Sequence, residues 1–300
     1  MKGLIFTTLL LLCPLVSADM SITMQAEHNP NDLRLNWVTS LLNLALERTT
    51  EDYGAYTLEP APDMELARRW HTLKSKKYPN YIIFSTYRAP HIPEFSKDYA
   101  IIKFPLLMGL LGYRICFHTK EKASYIEKML SKGLIKNLTI GQGKNWTDTA
   151  ILRHSGYTVT EAQGYAELFK MTHANRFDLF CRSVHEIYDE YHSHKDAQGL
   201  LVEQTFAFNY PMPLFIYTHK DNHALVERLS KGLELAYQDG SITAAFEQYM
   251  GERVKFARLS ERTIIQLENP ALKGLKSDYA RYYYPILDPT LGSSDQYIRR

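Results

Sequence analysis

The side chains best placed to do chemistry fall in two stretches. In the first, the apolar run Tyr81-Ile82-Ile83-Phe84 passes into Ser85-Thr86-Tyr87-Arg88-Ala89-Pro90. A charged group just beyond the carboxyl end of a buried strand lies where open α/β sheets bind ligands. The planar fork of Arg88 suits a carboxylate, although an arginine lying over a sheet edge would give the same pattern. In the second, Leu138-Thr139-Ile140 breaks into Gly141-Gln142-Gly143, then Lys144-Asn145-Trp146, then Thr147-Asp148 heading the apolar run Ala150-Ile151-Leu152. This matches neither G-x-x-x-x-G-K-[ST] nor G-x-G-x-x-G, so phosphate is not the expected ligand. What remains is a glycine turn feeding a helix amino terminus, whose free amides and dipole favour an anion such as a carboxylate. Thr147 and Asp148 serve equally well as ordinary N-cap or first-turn residues.

Other candidates offer less. His185, His192 and His194 accompany Glu186, Asp189 and Glu190 without the H-E-x-x-H spacing of a zinc site, and a solvated helix face is the expectation. There is no G-x-S-x-G elbow and no cysteine–histidine signature, so nothing here points to a nucleophilic enzyme. No cofactor and no metal is expected. Cys116 and Cys181 both sit in apolar, strand-like contexts. In an oxidising compartment they could pair; two free buried thiols fit the same surroundings.

The elements around these residues alternate. Residues 138–190 give strand, turn, helix, strand, helix, strand, and the first hundred residues give β-α-β-α-β. Within the latter, Ile22, Met24 and Ala26 mark a first strand. Trp37, Leu41, Leu44 and Ala45 recur at helical spacing. An extended, glycine-punctuated connection over residues 99–112 leads to a strand at 114–118 and a helix at 121–130. Later, Phe206-Ala207-Phe208 runs through Tyr210-Pro211-Met212-Pro213 into Leu214-Phe215-Ile216-Tyr217, and helices follow at 224–239 and 241–250. The fold class is α/β with parallel sheet.

Three hundred residues, 45% of them hydrophobic, exceed one typical domain and predict two lobes. The 35 basic and 33 acidic side chains leave a formal charge of +2, which gives no support to nucleic-acid binding. Lys2, the apolar residues 4–12 and Val16-Ser17-Ala18 form the pattern of a secretory signal peptide over residues 1–18, cleaved before Asp19. Pro14 interrupts that run, and it is short for a membrane span.

Taken in order, these pieces suggest a family. Gly141 to Gly143 with Trp146-Thr147-Asp148-Thr149-Ala150-Ile151-Leu152, then Tyr165-Ala166-Glu167-Leu168-Phe169, then Arg176-Phe177-Asp178-Leu179-Phe180 resemble bacterial extracytoplasmic solute-binding proteins of the type II periplasmic-binding fold. More narrowly, the chain is similar to their family 3 amino-acid-binding branch. Ser85-Thr86-Tyr87-Arg88, followed by Phe95-Ser96, resembles that family's hydroxyl-x-x-arginine turn. The resemblance covers the chain beyond the leader. It implies two α/β lobes joined by two crossover strands, one lobe from residues 19–106 plus 208–300 and the inserted lobe from 107–207. A ligand would bind in the cleft, and closure would be a hinge motion.

The resemblance also implies roles. Arg88, with Ser85 and Tyr87 on the same turn, would pair with a ligand carboxylate, and Gly143, Trp146 and Thr147 would close on that group from the second lobe. Where the family offers an aspartate to a ligand ammonium, this chain has Arg182-Ser183, and Glu186 is the nearest acid. Arg88 and Arg182 on opposite lips would suit a ligand with more than one anionic group. The implied function is capture of a small polar, carboxylate-bearing, amino-acid-like solute by a periplasmic monomer, for an ABC permease or a membrane sensor. The alternative is a dehydratase- or lyase-like enzyme on the same fold, using Glu186 or Asp148.

Overall fold

A computed structural model describes residues 19–26, 33–87 and 98–286, the side chains of 33–35 excepted. The expected signal peptide and Arg88 lie outside the described residues. The strands are β1 (Met20–Met24), β2 (Tyr56–Pro60), β3 (Ile82–Thr86), β4 (Tyr99–Ile102), β5 (Tyr113–His118), β6 (Thr139–Gly143), β7 (Thr158–Ala162), β8 (Leu179–Ser183), β9 (Leu201–Val202), β10 (Phe206–Asn209), β11 (Leu214–His219) and β12 (Thr263–Gln266). The helices are α1 (Leu33–Glu47), α2 (Thr50–Tyr53), α3 (Leu66–Lys74), α4 (Ala123–Ser131), α5 (Thr147–His154), α6 (Tyr165–His173), α7 (Val184–Ser193), α8 (His223–Gln238) and α9 (Ser241–Ala257).

Two sheets result. The first has the order β2-β1-β3-β11-β4, and the second β12-β10-β5-β8-β6-β7, with β9 paired to β5. β1 is parallel to β2 and β3, and β6 is parallel to β7 and β8, as expected for strands returned by crossover helices. Each sheet has one strand running against its neighbours. In the first it is β11, between β3 and β4; in the second it is β5, between β8 and β10. Both follow directly on a passage of the chain from the other sheet, so each lobe is completed by a strand that has just arrived. Buried side chains on both faces explain why these segments are strands at all: Ile115 and Cys116 in β5, Phe215 and Ile216 in β11.

The two passages, residues 103–112 and 210–213, lie against each other. Tyr210 N–H donates to the Gly112 carbonyl at 3.1 Å. A Cβ on Gly112 would stand 2.4 Å from the Tyr210 carbonyl oxygen, so only glycine lets the strands approach this closely. Trp37 Nε1 donates to the Leu106 carbonyl at 2.6 Å and ties the first passage to α1.

The expected boundaries put residues 208–300 wholly with the first lobe, and strand pairing departs from this in two places. β10 runs on to Asn209 within the second sheet, and after α9 the chain returns there as β12, whose Thr263–Gln266 lie parallel to Phe206–Asn209. The physical reason is the open edge of β10, which a β-branched segment can cover. The chain then comes back to the first passage, where Tyr284 N–H donates to the Met108 carbonyl at 2.9 Å.

Candidate functional site

The carboxyl end of β3 meets the amino end of α5, the helix that follows β6, from the other sheet. Thr86, last residue of β3, places its Oγ1 3.4 Å from Oγ1 of Thr147, first residue of α5. The glycine turn expected at Gly141-Gln142-Gly143 is instead the end of β6. The chain turns at Lys144 and at Asn145, which takes φ +66°. Gly143 is needed for space: a Cβ there would lie 2.2 Å from the Trp146 ring. With the indole laid on that glycine, Trp146 occupies the N-cap without capping α5; the Thr149 amide donates to the Trp146 carbonyl, and among the described residues no side chain accepts from the Thr147 and Asp148 amides. The first turn of α5 thus offers amide donors and the Thr147 hydroxyl toward the first lobe. An anion fits such a position.

Behind this turn lies a buried ionic cluster. Arg114 on β5 places Nη2 2.9 Å from Asp148 Oδ1 and Nη1 3.4 Å from Glu186 Oε2. Tyr210, on the second passage, donates its hydroxyl to Asp148 at 2.5 Å. Arg182 donates through Nε to both Glu190 oxygens at 2.8 and 3.1 Å, and its Nη2 stands 2.8 Å from Glu186 Oε1. Tyr165 gives Glu190 a further donor at 2.7 Å. Flat rings enclose the Arg182 guanidinium, with Trp146 at 4.9 Å, Tyr165 at 5.3 Å and Phe180 at 5.7 Å. Burial alone would draw Arg182 down, but Glu186 and Glu190 beside it hold it above the ordinary arginine value. Burial pushes Glu190 up, against the pull of Arg182. Burial likewise raises the Tyr210 and Tyr165 hydroxyls, so both stay protonated donors.

The remaining sequence candidates fall as follows. Ser85 is buried in β3 opposite Phe215, and the Tyr87 ring meets Phe215 edge-on at 6.3 Å, inside the apolar cluster under α3. Arg182 and Ser183 lie within β8, which extends past Phe180 until Ser183 starts α7. There Ser183 and Glu186 form a reciprocal capping box, with Ser183 N–H donating to Glu186 Oε2 at 3.1 Å. Cys116 and Cys181 face each other on β5 and β8 and are joined as a disulfide.

The histidines divide, contrary to the expected solvated face. His185 is buried, with Nδ1 2.6 Å from Ser183 Oγ, and His194 stacks on Phe169 at 4.4 Å. Only His192 is exposed. The reason is that α7 packs its first turn against the lobe core through Val184 and Ile187. Among the described residues no group of three or more side chains could hold a metal.

Sequence reasoning missed Thr86, Arg114, Tyr165, Glu190 and Tyr210 as parts of this region. One signal was available: a lone arginine in Tyr113-Arg114-Ile115-Cys116-Phe117 sits inside a buried strand, and a buried charge needs an opposite partner.

No protein-family model matches the chain, and no curated protein matches it. Solved structures do. A probable amino-acid ABC transporter extracellular-binding protein from Bacillus subtilis superposes with a TM-score of 0.55 at 11% identity, over 78% of this chain and 98% of that one. An arginine transport-system periplasmic binding protein from Legionella pneumophila gives 0.51 at 12% identity, over 78% and 100%. The VFT2 domain of Bordetella pertussis BvgS gives 0.50 at 12%, over 77% and 93%. The chain has the two-lobed α/β fold of type II periplasmic binding proteins. Its structural neighbours include amino-acid-binding proteins of ABC transporters. Among the described residues no helix is long and apolar enough to cross a membrane.

Proposed function

We propose that this chain is an exported solute-binding protein that captures a small carboxylate-bearing ligand between its lobes and presents it to an ABC permease or a membrane sensor in the periplasm. The observation that carries this reading is the meeting of β3 and α5. A strand end from one sheet and a helix start following a strand of the other converge where Thr86 and Thr147 face each other, and the N-cap residue of α5 makes no side-chain cap there. Arg88, two residues beyond Thr86 in sequence, would supply the cationic clamp from the first lobe, with the Gly143–Thr147 turn closing on the same carboxylate. The setting of Glu186 and Asp148 favours capture over catalysis. Both carboxylates are paired with Arg114, and each takes a further donor, Tyr210 on Asp148 and the Ser183 amide on Glu186.

The test is a thermal-shift screen of the mature protein against amino acids, mono- and dicarboxylates and short peptides. A ligand at 100 times its dissociation constant adds about 2.7 kcal/mol of stability. We expect stabilisation by at least one carboxylate and none by its amide or methyl ester. Equal stabilisation by acid and ester would rule out the carboxylate clamp.

A further inference from the structure

We propose that Arg182 determines specificity, acting as a built-in cation that fills the carboxylate pair on the second-lobe wall and thereby selects ligands without an ammonium group. This rests on the capture reading and narrows its ligand to amine-free acids.

The wall directly behind the α5 turn carries three carboxylates, Asp148, Glu186 and Glu190. Each already has a guanidinium partner and a second donor. Asp148 has Arg114 and Tyr210; Glu186 has Arg114, Arg182 and the Ser183 amide; Glu190 has Arg182 and Tyr165. A ligand ammonium entering here would have to expel a guanidinium that is buried and held by two acids and three aromatic rings. Losing a buried ion-pair partner is costly, so the wall rejects a second cation. Trp146 links this charge arrangement to the cleft. Its ring lies on Arg182, and the next residue is Thr147, which faces Thr86. Without the Arg182 side chain, Glu186 and Glu190 would become a cation-accepting pocket beneath the indole.

Two measurements test this. In the first, wild-type protein is titrated with acids matched but for the amine: succinate against aspartate, and glutarate against glutamate. The amine-free member is expected to bind at least tenfold tighter, and equal or tighter binding of the amino acid overturns the proposal. In the second, Arg182→Ala is melted or refolded with millimolar methylguanidinium chloride or the same concentration of sodium chloride. Methylguanidinium is expected to raise the melting temperature, or the folded yield, of the variant and not of wild type. No difference between the two salts in the variant overturns the built-in-cation role. If neither member of any pair binds, the capture reading fails for these acids, and the rescue still decides the role of Arg182.

Discussion

Two settings of buried arginine, Arg228 in the first lobe and the Arg114–Arg182 pair in the second, are held differently. Arg228 on α8 is buried in the first lobe, and its hydrogen-bond partners among the described residues are uncharged. It donates to the carbonyls of Gly54 at 2.8 Å and of Leu46, Tyr53 and Ala55 at 3.4 Å, and to Thr49 Oγ1 at 3.2 Å. These acceptors surround the carboxyl end of α1, where unpaired carbonyls and the helix dipole welcome a cation. Burial draws Arg228 below the ordinary arginine value, and with no carboxylate among those partners nothing reverses it. In the second lobe, Arg114 and Arg182 sit among carboxylates that more than offset the same burial. The carbonyl-bound arginine staples backbone and sets no charge pattern at the cleft. The carboxylate-bound pair builds a cluster whose charges are mutually consumed just behind the α5 turn. Chemically identical groups thus bind backbone carbonyls in one setting and neutralise carboxylates in the other.

That contrast can be broken by substitution. Arg114→Ala leaves Asp148 without its cation and Glu186 with one fewer, and removing one partner of a buried pair costs about 4 kcal/mol. Arg228→Met strands backbone carbonyls but no charge, and about 2 kcal/mol is expected. Urea unfolding of both variants at neutral pH checks the order. A larger loss for Arg228→Met would mean that the second-lobe carboxylates do not depend on their guanidiniums.

A smaller effect sharpens the comparison through pH. Asp178 in the second lobe accepts from Lys122 Nζ at 2.8 Å and from the Thr139 amide and hydroxyl, each at 2.8 Å. Burial would raise its carboxyl, but these donors outweigh burial and hold it below the usual carboxylate range. A depressed folded-state value means stability that is complete above the unfolded carboxylate range and lost as pH falls through the folded value. Asp178→Asn should therefore cost about 1.5 kcal/mol at pH 7 and nothing near pH 2. Chemical denaturation at stepped pH reads this, and a loss independent of pH would show that Asp178 acts by packing alone.

Much of the fold was legible from period and punctuation. The alternation over residues 138–190 and the strand at 81–84 needed only apolar spacing. What sequence did not convey depends on tertiary pairing. Nothing local to β5 or β11 says that each runs against its sheet. The short β12 reads like any loop until the edge of β10 is known to be open. At the site, Gly143 suggested a turn because glycine usually marks one, whereas here it makes room for an indole. Arg182 looked like a free lip residue because its partners, Glu186 and Glu190, follow one and two turns later on α7 and fold back onto it.

Calorimetric titration of the tightest acid from the screen into wild type and Arg88→Ala tests the central claim most directly. Wild type is predicted to saturate with one ligand per chain. The variant should give no binding heat while its far-ultraviolet circular dichroism and unliganded melting temperature stay unchanged. Undiminished affinity in Arg88→Ala would contradict capture of a carboxylate between the lobes.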